Sequence, residues 1–244
     1  MRSLSLSDAI SQGWEFAKKH GLLLAGILFV FSILTSMINS LAVPQDFWAN
    51  YMKAVQSQDM NSLQNMIDAN NTSVLSHVVS TILYILYIIF YAGITATILK
   101  LIRGIMVKVS FEGFKMSAMT YLKYFVVNLL VGLIIVVGSF LCLVPGIFFA
   151  TRLAFADWYI LDHPDAGIGE AFSASWNMTK GNFWSVLGLL FTEIVIVMIG
   201  FLLCCIGMYF AVPLAMFVEG CAYLTLHENL ATTAPVNEYV QDEH

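Results

Sequence analysis

The amino-acid sequence predicts an all-α integral membrane protein in which six transmembrane helices form three repeats with pseudo-threefold symmetry. The first observation is composition: 59% of the 244 residues are hydrophobic and 11% are charged, whereas soluble domains have roughly 45–50% apolar and about 25% charged residues. The second is an alternation of basic residues between successive connections, and the third is a short phrase that recurs three times. A water-soluble fold of this length cannot bury so much apolar surface, so we expect a lipid bilayer around it.

Six segments are apolar and long enough to cross a membrane, which requires about 20 mostly apolar residues. They lie at approximately 21–42, 75–99, 122–142, 144–161, 183–205 and 208–227. Pro145-Gly146 splits one long apolar run into a hairpin, and Gly207 separates the last pair. Residues 40–42 loosely resemble a signal-peptide cleavage site. The patterned stretch before the first span is too long for a simple basic leader, so we expect that span to be retained.

Lysine and arginine residues concentrate in alternate connections, and short connections rich in them are expected on the cytoplasmic side. Basic residues precede the first span, surround the second connection and enter the fourth: Arg2, Lys18, Lys19, Lys100, Arg103, Lys108, Lys115, Lys123 and Lys180. The first connection contains only Lys53, and the third and fifth contain none. This pattern predicts that both termini are cytoplasmic.

A phrase of two aromatic residues followed by Ala-x-x-x-Ala occurs in the second, fourth and sixth spans. Its alanines are Ala92, Ala96, Ala150, Ala154, Ala211 and Ala215. Small residues at this spacing allow helices to approach closely in lipid, so we expect these three spans to pack together centrally. Residues 8–29 also align with residues 170–191 at a constant offset, with seven of 22 positions identical. Both observations indicate internal repetition.

Each repeat is expected to combine an interfacial amphipathic helix with a helical hairpin. The repeats cover residues 1–107, 108–165 and 166–230, an acidic flexible tail follows at 231–244, and an extended outer connection at about 43–74 opens the first hairpin. Within that connection, apolar residues at helical spacing predict one further interfacial helix. Trp14, Lys18, Trp176 and Lys180 suit the depth of the lipid headgroups. Packing of the same helices against the protein's own cytoplasmic side explains their pattern equally well.

Four charged residues fall inside predicted spans: Arg152, Asp157, Glu193 and Glu219. A charge at the bilayer centre costs about 2.5–3.5 kcal/mol on insertion scales, so each is a candidate for function. Asp157 and Glu219 are expected on the face of the packing alanines and at a similar depth near mid-bilayer, whereas Arg152 is expected nearer the outer surface. One hypothesis is a polar pocket lined by the three acids, at least one of them protonated. The alternative is a structural ion pair between Arg152 and Glu193 or Glu219.

The second span also contains a polar stripe at helical spacing. Its members are Ser80, Tyr84, Tyr87, Tyr91 and Thr95. Such a stripe can line a wet cavity or bind an amphipathic ligand, and it can equally form a tyrosine packing face.

Motifs for catalysis or cofactor binding are absent from the sequence. No nucleotide-binding glycine motif, nucleophile elbow or H-E-x-x-H occurs, and the five histidines are scattered. We therefore expect no enzyme activity, no cofactor and no metal site. Few basic residues and no basic run argue against a nucleic-acid partner. A disulfide between Cys142 and Cys204 or Cys205 is possible by position, but apolar packing explains these cysteines as well.

Four short motifs follow one another between residues 144 and 182. They are Val144-Pro145-Gly146-Ile147-Phe148-Phe149-Ala150, Asp162-His163-Pro164, Glu170-Ala171-Phe172 through Ser175-Trp176, and Lys180-Gly181-Asn182. In this order they resemble a bacterial family of polytopic membrane proteins, related to the membrane domain of some glycerophosphodiester phosphodiesterases and to YciC-like inner-membrane proteins. The resemblance covers roughly residues 105–228 and implies the bacterial cytoplasmic (inner) membrane. It implies little chemistry, because the family's molecular role is largely unknown, and we expect no phosphodiesterase activity.

Together these observations predict a non-enzymatic membrane protein that organises lipid or partner proteins. The alternative is a transporter or channel for a small molecule or lipid that uses the central polar pocket. A third hypothesis, an intramembrane enzyme, requires carboxylates clustered around a metal ion. A membrane-protein partner or a homo-oligomer is compatible with six exposed helix faces, but no pattern selects either.

Overall fold

The computed structural model describes residues 4–42, 47–57, 60–71, 74–203 and 206–233. These residues form helices joined by short connections, with no strand among them. The α-helices are α1 (Leu6–Phe16), α2 (Leu22–Ala42), α3 (Phe47–Gln56), α4 (Met60–Asn71), α5 (Val74–Ile102), α6 (Ala118–Leu141), α7 (Leu143–Leu153), α8 (Ala156–Asp162), α9 (Ile168–Thr179), α10 (Phe183–Leu202) and α11 (Ile206–Thr233). A π-helical segment, Ala17–Gly21, joins α1 to α2 without a break. Most of the acidic tail and the pair Cys204 and Cys205 lie outside the described residues.

Six helices within the described part are long and apolar enough to cross a membrane, which confirms the predicted fold class. They cover Leu6–Ser40, His77–Ile102, Ala118–Phe140, Val144–Asp162, Phe183–Leu202 and Gly207–Leu230. The chain is therefore a multi-pass all-α membrane protein. The three-repeat organisation and its pseudo-threefold symmetry stay predictions.

The turn between the third and fourth spans differs from the one expected at Pro145-Gly146. The chain turns at Cys142, which has an extended backbone, and Pro145 lies in the first turn of α7. Proline is tolerated there because the first amide groups of a helix have no intrahelical acceptor. Gly146 instead allows close approach to α6, since a β-carbon at Gly146 would lie 3.0 Å from the α-carbon of Ser139. The glycine therefore serves helix packing, and the turn needs neither residue.

The chain divides into two compact units, one made of Met1–Ala25 with Ala92–His244 and the other of Gly26–Tyr91. In the first unit, α1 packs along α11, where Gly13 lies directly against the backbone of Val218. Phe16 stacks on Phe217 with a ring-centroid distance of 6.0 Å. The amide of Leu4 donates a hydrogen bond of 3.0 Å to the side chain of Asn182. These contacts favour the interpretation in which this helix packs against the protein itself.

The fourth span is interrupted between α7 and α8, and α9 packs against the interruption. Ser175 on α9 accepts a hydrogen bond of 3.2 Å from the amide of Phe155. Its hydroxyl donates one of 2.9 Å to the carbonyl oxygen of Arg152. Because the break frees backbone groups that water does not reach, Ser175 satisfies them from a neighbouring helix. At and beside the break, the buried residues Phe155, Trp158 and Tyr223 form the aromatic core of this unit.

The second unit contains α3, α4 and the adjoining parts of α2 and α5. Phe31 and Phe90 stack within it at a ring-centroid distance of 3.7 Å. Of the polar stripe, Tyr84 and Tyr87 are more than half exposed, and Tyr87 stacks on Tyr91 at 5.5 Å. Ser80 is exposed as well, whereas Thr95 belongs to the first unit and is buried there.

The packing alanines occupy two kinds of environment. Ala92, Ala96 and Ala211 are buried, whereas Ala150, Ala154 and Ala215 are partly exposed. Ala211 contacts Gly200, because a β-carbon on that glycine would lie 2.5 Å from the alanine methyl group. This contact is internal to the hairpin of α10 and α11. Central packing of the three even-numbered spans therefore stays a prediction.

Candidate functional site

Three carboxyl groups from three helices lie close together in the first unit. Asp157 is the second residue of α8, Glu193 lies in the middle of α10, and Glu219 lies in α11. Glu219 interacts electrostatically with both other acids, and Glu193 interacts with Asp157. Asp157 and Glu193 are 36 positions apart in the chain, and Glu193 and Glu219 are 26 positions apart. The packing of α8, α10 and α11 thus brings them together. The structure therefore contains a cluster of acids, which we call the carboxyl cluster: Asp157, Glu193 and Glu219.

The members of the carboxyl cluster differ in their hydrogen bonds. Asp157 accepts a hydrogen bond of 2.9 Å from the amide of Trp158, and the Trp158 side chain is hydrogen-bonded to Glu219. Oε1 of Glu193 is buried and has no hydrogen-bond partner among the described residues. Three neighbouring carboxyl groups shielded from water cannot all be charged without added protons or cations. The cluster is therefore chemically suited to take up a proton or a small cation.

Arg152 lies apart from the carboxyl cluster, which argues against the hypothesis of an ion pair with Glu193 or Glu219. Its guanidinium carbon lies 5.4 Å, 5.2 Å and 5.7 Å from the ring centroids of Phe148, Trp176 and Phe183. Nε and Nη1 are buried and have no hydrogen-bond partner within the described part of the chain. The guanidinium is held by cation–π attraction instead.

This contact also bears on the expected depths of Arg152 and Trp176. Sequence patterns placed Arg152 near the outer surface and Trp176 at the cytoplasmic interface. Because their side chains are in contact, the two residues must lie at a similar depth, and at most one of these placements is correct. The interruption after α7 brings Arg152 to α9. The sequence does not indicate this interruption, because residues 154 and 155 are neither glycine nor proline.

A second polar cluster, which sequence patterns did not predict, lies where α5, α8 and α11 meet. Asp162 ends α8, and its side chain is only 2% exposed. Its Oδ2 accepts hydrogen bonds from the guanidinium of Arg103 and, at 2.7 Å, from the hydroxyl of Tyr223. The imidazoles of His163 and His227 lie beside it, with ring centroids 5.1 Å apart. We call Asp162, His163 and His227 the Asp-His-His cluster.

The Asp-His-His cluster was missed because 64 positions separate its two histidines in the chain. Local motifs for metal or catalytic sites depend on fixed short spacings, and none connects α8 to α11. The one available signal was weak: Tyr159 and His163, like Tyr223 and His227, are four residues apart, which places each pair on one helix face. In the structure Tyr159 stacks on His163 at 4.5 Å and Tyr223 stacks on His227 at 5.6 Å.

An apolar cleft lies between α1, the π-helical segment, α10 and α11. Its volume is about 510 Å³. It is lined by Trp14, Ala17, Lys18, Gly21, Leu22, Ile196, Ile199, Gly200, Leu203, Gly207, Phe210, Ala211 and Leu214. Lys18 is the one charged residue of that lining, and its ammonium group contacts the Glu15 carboxylate at 2.6 Å. Of the other predicted interface residues, Trp176 packs on Arg152 and Lys180 is exposed.

Comparison with known proteins places the chain in a family but gives it no activity. No curated protein matches the sequence, and no solved structure matches it. A family model does match, over residues 4–237, which include all three sites described above. The chain therefore belongs to the family described as "Domain of unknown function (DUF7847)".

Proposed function

We propose that this protein binds membrane lipid in the cleft beside α1 and thereby organises lipid or partner proteins, without catalysing a reaction. The observation that supports this most directly is the cleft itself. Its volume of about 510 Å³ falls within the roughly 300–1,000 Å³ typical of ligand pockets. The lining is apolar apart from Lys18, which suits an acyl chain and not a polar substrate.

The charge at the edge of the cleft favours an anionic phospholipid. Lys18 and Lys19 end the polar part of the first helix, and His20 follows them. Lysine side chains lay their methylene groups on apolar surface while the ammonium group reaches the headgroup layer. Basic residues near the anionic cytoplasmic leaflet gain about 1 kcal/mol each from its surface potential. A phospholipid with an acyl chain in the cleft and its phosphate at Lys18 or Lys19 gains from both the apolar lining and the basic charge.

The location that we propose with this function is the bacterial cytoplasmic membrane, with both termini in the cytoplasm. The alternation of basic residues supports the orientation, and the resemblance to YciC-like proteins supports the bacterial location. Under this orientation α1 and α9 lie at the cytoplasmic face. A protein partner or a second copy of the chain is compatible with the exposed helix faces.

A bulky residue in the cleft should displace the lipid. In Ala17→Phe the new ring projects into the cleft, because Ala17 lines it. We expect at least about tenfold weaker lipid retention, which corresponds to ~1.4 kcal/mol. The measurement is the amount of phospholipid per chain, by mass spectrometry, after purification in a mild detergent.

The matched control is Gln12→Phe, which adds the same ring to α1 at an exposed position. It should retain lipid like the wild type. Equal retention in the two variants, with both folded, would show that the cleft does not hold the lipid.

A second candidate function is transport of protons or small cations through the carboxyl cluster. The observation that favours it is the buried, unpartnered Oε1 of Glu193 beside two further acids. Buried acids of this kind mark proton and ion pathways in membrane proteins.

Transport predicts that Glu219→Gln removes ion uptake while leaving the fold intact, because glutamine keeps the shape but cannot carry the charge. The measurement is proton or sodium uptake into proteoliposomes, with uptake expected to fall to the level of protein-free vesicles. Asp165→Asn, at an exposed position, is the control and should transport normally. Loss of expression in Glu219→Gln would instead indicate a structural role, and unchanged uptake would exclude the pathway.

A further inference from the structure

We propose that Asp162, His163 and His227 bind one divalent transition-metal ion. Each residue offers one ligand atom, and these atoms all lie within 4.8 Å of one another. Two imidazoles and one carboxylate form a donor set that suits Zn²⁺ and its neighbours in the first transition row. This site is separate from the carboxyl cluster and from the lipid cleft, so the inference does not depend on the proposed function.

The histidines are held in position before any ion arrives. His163 stacks on Tyr159 and His227 stacks on Tyr223, so each imidazole packs against the aromatic ring four residues before it. The turn that follows His163 is fixed by Lys123, whose ammonium group donates hydrogen bonds to the carbonyl oxygens of Pro164 and Ala166 at 2.7 Å and 2.9 Å. Ligands restrained in this way lose little conformational entropy when they coordinate an ion.

An unsatisfied polar atom points to a ligand at this place. Nδ1 of His163 is buried and has no hydrogen-bond partner among the described residues, although it lies 3.6 Å from Oδ2 of Asp162. That distance is too long for a hydrogen bond. It is close to the roughly 3.4 Å that separates two ligand atoms around a tetrahedral ion with bonds of about 2.1 Å.

The carboxylate is supported in the way that metal ligands usually are. Arg103 and Tyr223 both donate hydrogen bonds to Asp162, and outer partners of this kind orient a ligating carboxylate. Arg103 also brings a positive charge, which competes with the ion for Asp162. Its side chain is 32% exposed, so solvent screens part of that charge.

A second cavity lies beside the same carboxylate. Asp162 lines this cavity of about 340 Å³ together with Lys100, Arg103, Lys115, Ser117 and Thr120, and the rest of the lining is mainly apolar. Three protein ligands leave at least one coordination position open toward water or an anion.

The test measures binding of Zn²⁺ and Co²⁺ to the full chain, purified in detergent without a polyhistidine tag. We expect one ion per chain by equilibrium dialysis and visible ligand-field bands for bound Co²⁺. His163→Gln and His227→Gln should each weaken binding at least tenfold, whereas His20→Gln and His77→Gln, outside the cluster, should not change it. Thermal melting checks that each variant is folded.

X-ray absorption at the zinc edge of the wild-type protein gives a readout that is independent of the variants. It should show two imidazole ligands together with oxygen. The proposal would be overturned by the absence of saturable binding. Retention of one ion by the folded double variant His163→Gln/His227→Gln, or a zinc spectrum without imidazole, would also overturn it.

Discussion

Replacing Gly13 by alanine is expected to destabilise the protein by about 1–3 kcal/mol or more, the usual cost of overpacking a close contact. A β-carbon at this position would lie 2.6 Å from Cγ2 of Val218 and 2.8 Å from its backbone nitrogen and α-carbon. A side chain can rotate away from such a clash, but the backbone of α11 cannot. The substitution should therefore push α1 away from α11 and open the apolar cleft between them. A thermal unfolding curve in detergent measures the effect.

Gly26 offers a matched control on the same continuous helix. A β-carbon there would meet no described atom within 4 Å, and alanine is favoured over glycine in a helix by about 1 kcal/mol. Gly26→Ala should therefore be neutral or stabilising. Equal unfolding temperatures for the two variants would show that α1 does not pack on α11 as described.

Replacing Trp158 by alanine is expected to cost about 3–5 kcal/mol, the range for removing a large aromatic side chain from a core. The indole is only 1% exposed and lies 6.1 Å from the ring of Tyr223. Gly220 packs against its edge, since a β-carbon there would lie 2.9 Å from the indole. The substitution also removes the hydrogen bond to Glu219 and leaves that buried acid with one partner fewer.

Trp184→Ala is the comparison, because Trp184 is 80% exposed and its loss leaves no cavity. Fluorescence-detected size-exclusion chromatography after heating should show Trp158→Ala aggregating at a much lower temperature than Trp184→Ala. If both variants tolerate heat equally, the aromatic core around Tyr223 does not determine stability.

The number and approximate limits of the spans were predictable because the bilayer imposes a length and an apolar composition on each helix. Two local features were not predictable. The first amphipathic segment was expected as a separate helix, but it continues into the first span through Ala17–Gly21. The fourth span is interrupted at Ala154 and Phe155, although no glycine or proline lies there. Ser175 of another helix stabilises this interruption.

The outer connection shows a similar limit. The apolar spacing predicted one interfacial helix there, and α3 begins at Phe47 in agreement with it. A second helix, α4, was not predicted. Its residues are mainly polar, and its few apolar residues, among them Met60, Leu63 and Ile67 at i, i+3 and i+7, form only a short stripe.

The acids of the carboxyl cluster were identified one by one, because a charged residue inside an apolar span is conspicuous. Their proximity required the packing of α8, α10 and α11. Helix packing also determines that Arg152 lies apart from these acids. It likewise determines that His163 lies beside His227. Residues that share no local spacing come together only through tertiary structure, which a single sequence does not reveal.

The π-helical segment makes the first span long, because it joins α1 and α2 into one continuous helix. From Leu6 to Ser40 the helix has 35 residues, or roughly 52 Å at ~1.5 Å per residue, against a hydrocarbon core of about 30 Å. This continuous helix must therefore tilt strongly or extend well beyond the hydrocarbon layer. A π turn contains one residue more than an α turn, so Ala17–Gly21 accommodates one extra residue within this continuous helix.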